Sequence, residues 1–224
     1  MPLVIALAAA SGPLWAQSEL TGIWHIDKPV AALHTANGGE PPLRAEAANR
    51  YRTHIAERRH ADTSFDSATW CASVGMPRIM TINSPFEIVV RPPYVALLHE
   101  WNWWARVVYL DGALAGGDEQ PGPMGLSVGR WEGDTLVVET SHLIDSTLID
   151  NSGLPHSEAL KLTERLRLRS SDVLEDRLRF EDPQIFTQPW EAVLTYRRQR
   201  ADIHEDVCLD RIKAGEPAVK EADR

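Results

Sequence analysis

The sequence predicts a mainly all-β domain, an antiparallel β-barrel preceded by a helical and irregular segment. Three observations predict it. From Arg78 onward, short runs of alternating apolar and polar residues recur between turn residues. Glu132-Gly133-Asp134 and Ser170-Ser171-Asp172 each sit between two such runs and read as hairpin turns. No long helical pattern separates the runs, and full closure is how an antiparallel sheet removes its exposed edges.

The elements follow in order. Residues 1–16 are uncharged and apolar, and polar Gln17-Ser18-Glu19 comes next. This pattern reads as the apolar core and cleavage site of a secretory signal, cut after Ala16, although the usual basic start is missing. The competing reading is a buried first element, against which the Gly12-Pro13 break counts. Export to the periplasm or beyond is therefore expected. Residues 17–70 hold a first strand at Leu20 to Trp24, then a polar helix from Leu43 to Arg59 opened by Pro41-Pro42, then a loop from Asp62 to Trp70. The barrel core is expected over 71–212. Its strands are Phe86 to Val90, Tyr94 to Asn102, Ala105 to Leu110, Ser127 to Trp131, Thr135 to Thr140, Leu160 to Arg169, Val173 to Phe180 and Trp190 to Arg198. A Gly- and Pro-rich loop covers Gly116 to Gly125, and the charged tail 213–224 is expected to be disordered.

The 224 residues suit one domain, and a 43% hydrophobic share is enough for a core. A net charge of -9 argues against a nucleic-acid partner. No apolar run approaches the roughly 20 residues of a membrane-spanning helix. Cys71 and Cys208 are the two cysteines, so one intramolecular disulfide is possible in an exported chain, with two free thiols as the alternative. Neither lies in a CxxC spacing, which argues against zinc or redox chemistry through sulfur. There is no Gly-x-Ser-x-Gly elbow, phosphate loop or dinucleotide fingerprint.

Gly22-Ile23-Trp24 resembles the opening of lipocalin-like barrels, in which the indole plugs the closed end. The block from Gly129 to Val138, GRWEGDTLVV, resembles the hallmark of a large family of exported bacterial proteins. Pro85 to Val89, Leu98-His99-Glu100-x-Asn102, Leu110-Asp111-Gly112, Pro155 to Leu160, Thr163-Glu164-Arg165, Glu181-Asp182-Pro183 and Gln188-Pro189-Trp190 are similar to further blocks of that family. Cys71 and Cys208 also fall where it places its cysteines. The resemblance spans roughly residues 70 to 210 and implies export and a lipocalin-like barrel, but no activity. Leu126 departs from the pattern, standing where the family has an aromatic residue or histidine, which implies a more apolar pocket. The Trp101-x-Trp103-Trp104 cluster is richer in indole than the family pattern.

Strand parity sorts the polar residues. Leu160, Leu162, Glu164, Leu166 and Leu168 share one face, as do Leu174, Asp176, Leu178, Phe180 and Asp182. Tyr94, Ala96, Leu98, Glu100, Asn102 and Trp104 are read as a third inward face, with Arg106 joining if the strand runs on and His142 in phase with Thr140. The inward candidates are thus Glu100, Asn102, Arg106, His142, Glu164 and Asp182. One reading is a self-satisfied ion pair of Arg106 with Glu164 or Glu100. The sharper reading is cofactor-independent acid–base chemistry of the isomerase, lyase or cyclase type. Glu100 and Glu164 would be acid and base, with His156 or His142 assisting. Asn102 and Arg106 would hold an oxygen, and Trp104, Tyr94, Leu126 and Asp182 would line a pocket for a small apolar or aromatic molecule. A non-catalytic carrier, a solidly filled barrel, and a metal site from His142, His156 and Glu158 are the alternatives; no paired-histidine motif supports the last. No cofactor is expected, and the sequence leaves the oligomeric state open.

Overall fold

A computed structural model describes residues 19–110 and 120–219. The proposed signal segment, most of the loop after Leu110 and the last five residues lie outside the described part. Among the described residues, nine strands form a closed barrel in sequential order. They are β1 (Gly22–Ile26), β2 (Phe86–Arg91), β3 (Tyr94–His99), β4 (Ala105–Leu110), β5 (Leu126–Glu132), β6 (Thr135–Ser141), β7 (Lys161–Ser170), β8 (Val173–Glu181) and β9 (Trp190–Gln199). Strand β1 closes the sheet by pairing with β2 on one side and β9 on the other.

All ladders but one are antiparallel. The exception is β4 with β5, which run parallel with Val108 opposite Ser127. The connection of fifteen residues between Leu110 and Leu126 permits this, since a parallel pair needs a long crossover rather than a hairpin. The tight turns behave as their residues require. Glu132 pairs with Thr135 across Gly133-Asp134, and Gly133 supplies φ +63. Ser170 pairs with Val173 after an irregularity next to Arg169.

In β7 and β8 the alternation sorts the side chains as the sequence indicates. Leu162, Glu164, Leu166, Leu174, Asp176, Leu178 and Phe180 are buried, while Lys161, Arg165 and Arg167 face water. The outer face carries cross-strand pairs such as Arg130 with Glu139 (2.7 Å) and Arg165 with Glu132 (2.9 Å). Exposed pairs of this kind stabilise little individually.

Strand β3 corrects the expected parity. It stops at His99, and Val95, Leu97 and His99 face inward. Its pairing fixes this, because His99 lies opposite inward-facing Phe86 and Leu97 opposite Ile88. Residues 100–104 are a turn, with Asn102 and Trp103 at φ 51 and 57, rather than a continuation of the strand.

Helix α1 (Ala45–Arg59) follows Pro41-Pro42 and carries Glu46 in its first turn and Arg58 and Arg59 in its last, complementing the helix dipole. Ala47 is its one buried residue, so it lies on the surface of the barrel. After it, the stretch Val74 to Ile82 is buried, and the carbonyl of Met80 accepts a hydrogen bond from the inward Tyr196 hydroxyl at 3.0 Å. This stretch packs across one end of the barrel. Trp24 is fully buried, and its indole N–H donates to the Leu20 carbonyl at 3.0 Å.

Cys71 and Cys208 form a disulfide, with 5.6 Å between their Cα atoms. It ties the segment between β1 and β2 to helix α2 (Cys208–Lys213). The described part of the expected tail, residues 213–219, is ordered against the protein. The Ala218 carbonyl accepts from the Trp101 indole N–H at 3.0 Å, so residues up to 219 are held against the body of the protein.

Candidate functional site

The inward faces of β3 to β9 bring one polar cluster into the barrel: His99, Arg106, Ser127, Thr140, Glu164, Asp176 and Tyr196, all buried. Arg106 organises it. Its Nε donates to Ser127 Oγ (3.0 Å), one terminal nitrogen to Glu164 Oε1 (2.9 Å), and the other to Thr140 Oγ1 (2.8 Å) and Glu164 Oε2. This is the two-point Arg–carboxylate geometry that holds a buried ion pair. Glu164 is thereby engaged as the partner of Arg106.

Asp176 is different. It is fully buried, and neither carboxyl oxygen has a hydrogen-bond partner of normal geometry. Burial, and then the negative charge of Glu164, push its pKa well above the ordinary carboxylate range, with Arg106 offsetting part of the rise. These surroundings favour the protonated, neutral form of Asp176. His99 moves the opposite way. Burial first, then the Arg106 charge, pull it down to about 3, and its Nε2 meets no partner. Phe86 packs against both His99 and Tyr196, at ring separations of 5.3 and 5.1 Å.

The other residues singled out in the sequence go elsewhere. Glu100 lies outside the barrel, where its carboxylate accepts the His204 N–H at 2.8 Å. Asn102 clamps the disulfide: its side chain donates to the Cys71 carbonyl and accepts from the Cys208 N–H. Tyr94 is 40% exposed at the β2–β3 turn, and Trp104 is half-buried past the end of β3. Leu126 is on the outward parity, next to inward Ser127. His142 is exposed, because its φ of 58 ends β6 and breaks the expected phase. His156 is fully buried, with Nε2 against Thr147 Oγ1 (2.9 Å) and Nδ1 against the Ser157 carbonyl (3.1 Å). Asp182 accepts from the Ser157 N–H and hydroxyl and from the Gln184 N–H, which makes it a loop cap. His142, His156 and Glu158 do not assemble, and no group of three or more metal-binding side chains exists among the described residues. His99, Asp176 and Tyr196 were not among the sequence candidates; the alternation of β8 already put Asp176 on the inward face.

Room for a ligand lies outside the barrel. An open cavity of about 1000 Å³ sits between α1, the turn that follows it, the loop at Asn151-Ser152 and the C-terminal segment. Pro29, Ala31, Ile55, Ile212, Pro217 and Val219 supply apolar walls. The buried carboxylate of Asp66 also lines it, held by Arg78 at 2.7 Å and Arg58 at 3.1 Å. Burial alone would raise the Asp66 pKa; the charge and hydrogen bond of Arg78, with the Arg58 hydrogen bond, hold it below the ordinary value. Arg78 is fixed in turn by Asn151 at 2.9 Å. Fully buried Asp150 sets the neighbouring loop by accepting from the Leu33, Ser152 and Leu154 N–H groups.

No family model matches the chain, and no curated protein matches it. Among solved structures it is similar to a Schistosoma mansoni fatty acid binding protein in complex with arachidonic acid. The identity is 9% and the TM-score 0.37, over 82% of this chain and 98% of that one. The nine-strand closed barrel itself establishes the mainly all-β class.

Proposed function

We propose that this protein binds a small, largely apolar molecule in the cavity beneath α1. The carrying observation is the cavity: its volume of about 1000 Å³ and its apolar walls suit a ligand of drug-like size, with a few fixed polar groups to orient it. The barrel interior is less suited to the task, because Trp24, Phe86, Phe180 and Tyr196 are large buried side chains there and the Tyr196 hydroxyl is bonded to the Met80 carbonyl of the buried stretch Val74 to Ile82. The disulfide fits an oxidising compartment, so binding takes place in the periplasm or outside the cell.

The test is a fluorescence titration with phenylnaphthylamine, a neutral apolar dye that brightens when it leaves water. Saturable binding is expected. Ile212 is 42% exposed and lines the cavity, so Ile212→Asp leaves the core alone and places a charge on the apolar wall. Affinity should fall by about tenfold or more in that variant. Wild-type protein that binds neither this dye nor its anionic relative anilinonaphthalene sulfonate, or a variant that binds as well as wild type, overturns the assignment.

A second reading is acid–base catalysis inside the barrel. It is favoured by one observation, the burial of Asp176 and His99 in one polar cluster with no side-chain partner for the Asp176 carboxylate or for His99 Nε2. Burial favours the protonated form of Asp176, which can donate, and the neutral form of His99, which can accept. In this reading Asp176 and His99 replace the pair Glu100 and Glu164, and Arg106 with Glu164 positions them. Its mark is turnover that Asp176→Asn abolishes while circular dichroism stays that of wild type. Turnover that survives in Asp176→Asn removes it.

A further inference from the structure

We infer that the occupant of the cavity is an amphipathic anion, its negatively charged head set against Arg58 and Arg59 and its apolar body against Ile55 and Ile212; this rests on the reading of the cavity as a binding site. The argument is one of charge. The chain as a whole is acidic at -9, yet the cavity is lined by three arginines, Arg58, Arg59 and Arg78, and one carboxylate, Asp66.

That carboxylate is already committed. Asp66 Oδ1 accepts from Arg78 and from the Ala68 N–H, and Oδ2 accepts from Arg58. Two guanidinium groups share one negative charge, which leaves one positive charge uncompensated. Arg59 adds another, since no carboxylate among the described residues lies within ion-pair distance of it. The C-terminal end of α1 contributes only about half a negative charge in return.

The donor side is also incomplete. Arg58 is held in place by Asp66 and by the face of Phe65, 5.3 Å from its guanidinium carbon, yet its Nε is buried without an acceptor. A buried N–H without a partner is costly, and an anionic oxygen arriving from the cavity relieves that cost. The apolar walls at Ile55, Ile212 and Val219 then require that the rest of the ligand be greasy.

The test compares anilinonaphthalene sulfonate with phenylnaphthylamine, which share a skeleton and differ by the sulfonate. Both are titrated against the disulfide-bonded protein at low and high salt. The anion should bind about tenfold tighter than the neutral dye although it is the more water-soluble of the two, and salt should weaken the anion selectively. In Arg59→Met the ratio of anion to neutral affinity should drop about tenfold. Arg58→Gln, which keeps a donor but loses the charge, should lower the same ratio. Anion binding that Ile212→Asp blocks, with no measurable neutral binding, supports the inference equally. Equal affinity for the two dyes overturns it and leaves the cavity assignment standing. No saturable binding of either dye overturns both. A ratio unchanged by both arginine variants places the head elsewhere and also overturns it.

Discussion

Replacing Asp176 with asparagine should change how stability depends on pH, and the direction follows from its surroundings. In the unfolded chain an aspartate gives up its proton near pH 3.8. In the folded barrel, burial and then the Glu164 charge hold that proton to a much higher pH. Above pH 3.8 the folded state therefore carries more protons than the unfolded one. Stability falls as pH rises, and the fall ends only when the folded group itself ionises. The slope is about 1.4 kcal/mol per pH unit over the window in which the unfolded group is ionised and the folded one is not. Asparagine does not titrate, so subtracting the wild-type unfolding free energy from that of Asp176→Asn cancels the groups that do not interact with Asp176. As pH rises above 3.8 the difference should grow in favour of the variant, by up to about 1.4 kcal/mol per unit. Urea unfolding followed by tryptophan fluorescence at each pH measures it. A difference that stays flat, or moves the other way, would show that Asp176 is ionised inside the barrel and would refute the reasoning.

His99 should behave as the mirror image. Its folded pKa is depressed from 6.5 to about 3, so stability is lost as pH falls from the first value toward the second, and His99→Gln should gain on wild type by about 1.4 kcal/mol per unit of acidification in that window. The same urea series reads it, and parallel curves would mean that the ring is protonated in the fold. Glu164→Gln strands the buried charge of Arg106 and should cost about 3–5 kcal/mol, whereas Arg106→Met combined with Glu164→Leu should cost less than either single change. Thermal melts of the three variants decide this, and a Glu164→Gln protein as stable as wild type would count against the pair. Removing both sulfurs in Cys71→Ser/Cys208→Ser opens a link between residues 137 apart, for which chain entropy gives an upper figure of about 5 kcal/mol. The C-terminal wall of the cavity follows that link, so dye binding should weaken in the same variant; full retention of both stability and binding would show that the wall is held without the bridge.

The barrel was legible in the sequence because its strands alternate cleanly and its tight turns carry the residues such turns need. Glu164 is legible for the same reason, since it interrupts an apolar face of β7; Arg106 follows from parity only as the continuation of a β3 face that proves to be the outward one, with Glu164 and Glu100 both open as its partner. The reading of β3 failed because the indole-rich stretch after His99 looked like more strand, while positive φ at Asn102 and Trp103 makes it a turn. Extending the strand puts Glu100 on the inward face, whereas the structure puts His99 there. His156 and Asp182 were misread for a different reason. His156 lies in a loop, which has no periodicity, and Asp182 keeps the buried parity of β8 but stands just past its end, so nothing in the sequence shows that Thr147 and Ser157 occupy their polar atoms. The cavity was illegible altogether. It is assembled from residues near 30, 55 to 69, 78, 151 and 212 to 219, and no local motif links them.

The pairing of β1 with β9 has a consequence for how the chain emerges. Residues 22–26 find their second neighbour only in residues 196–199. A polypeptide delivered from its N-terminus must therefore carry an open sheet, with β1 exposed along one side, until nearly the whole chain has arrived. Closure joins segments that are among the most distant in the chain, which is the slow kind of contact to form and the kind that leaves a strand edge open to other chains in the interval. A helper that shields β1 during this interval, or conditions that keep chains dilute, should raise the yield of folded protein more than any improvement to the hairpins, which can form as soon as they emerge.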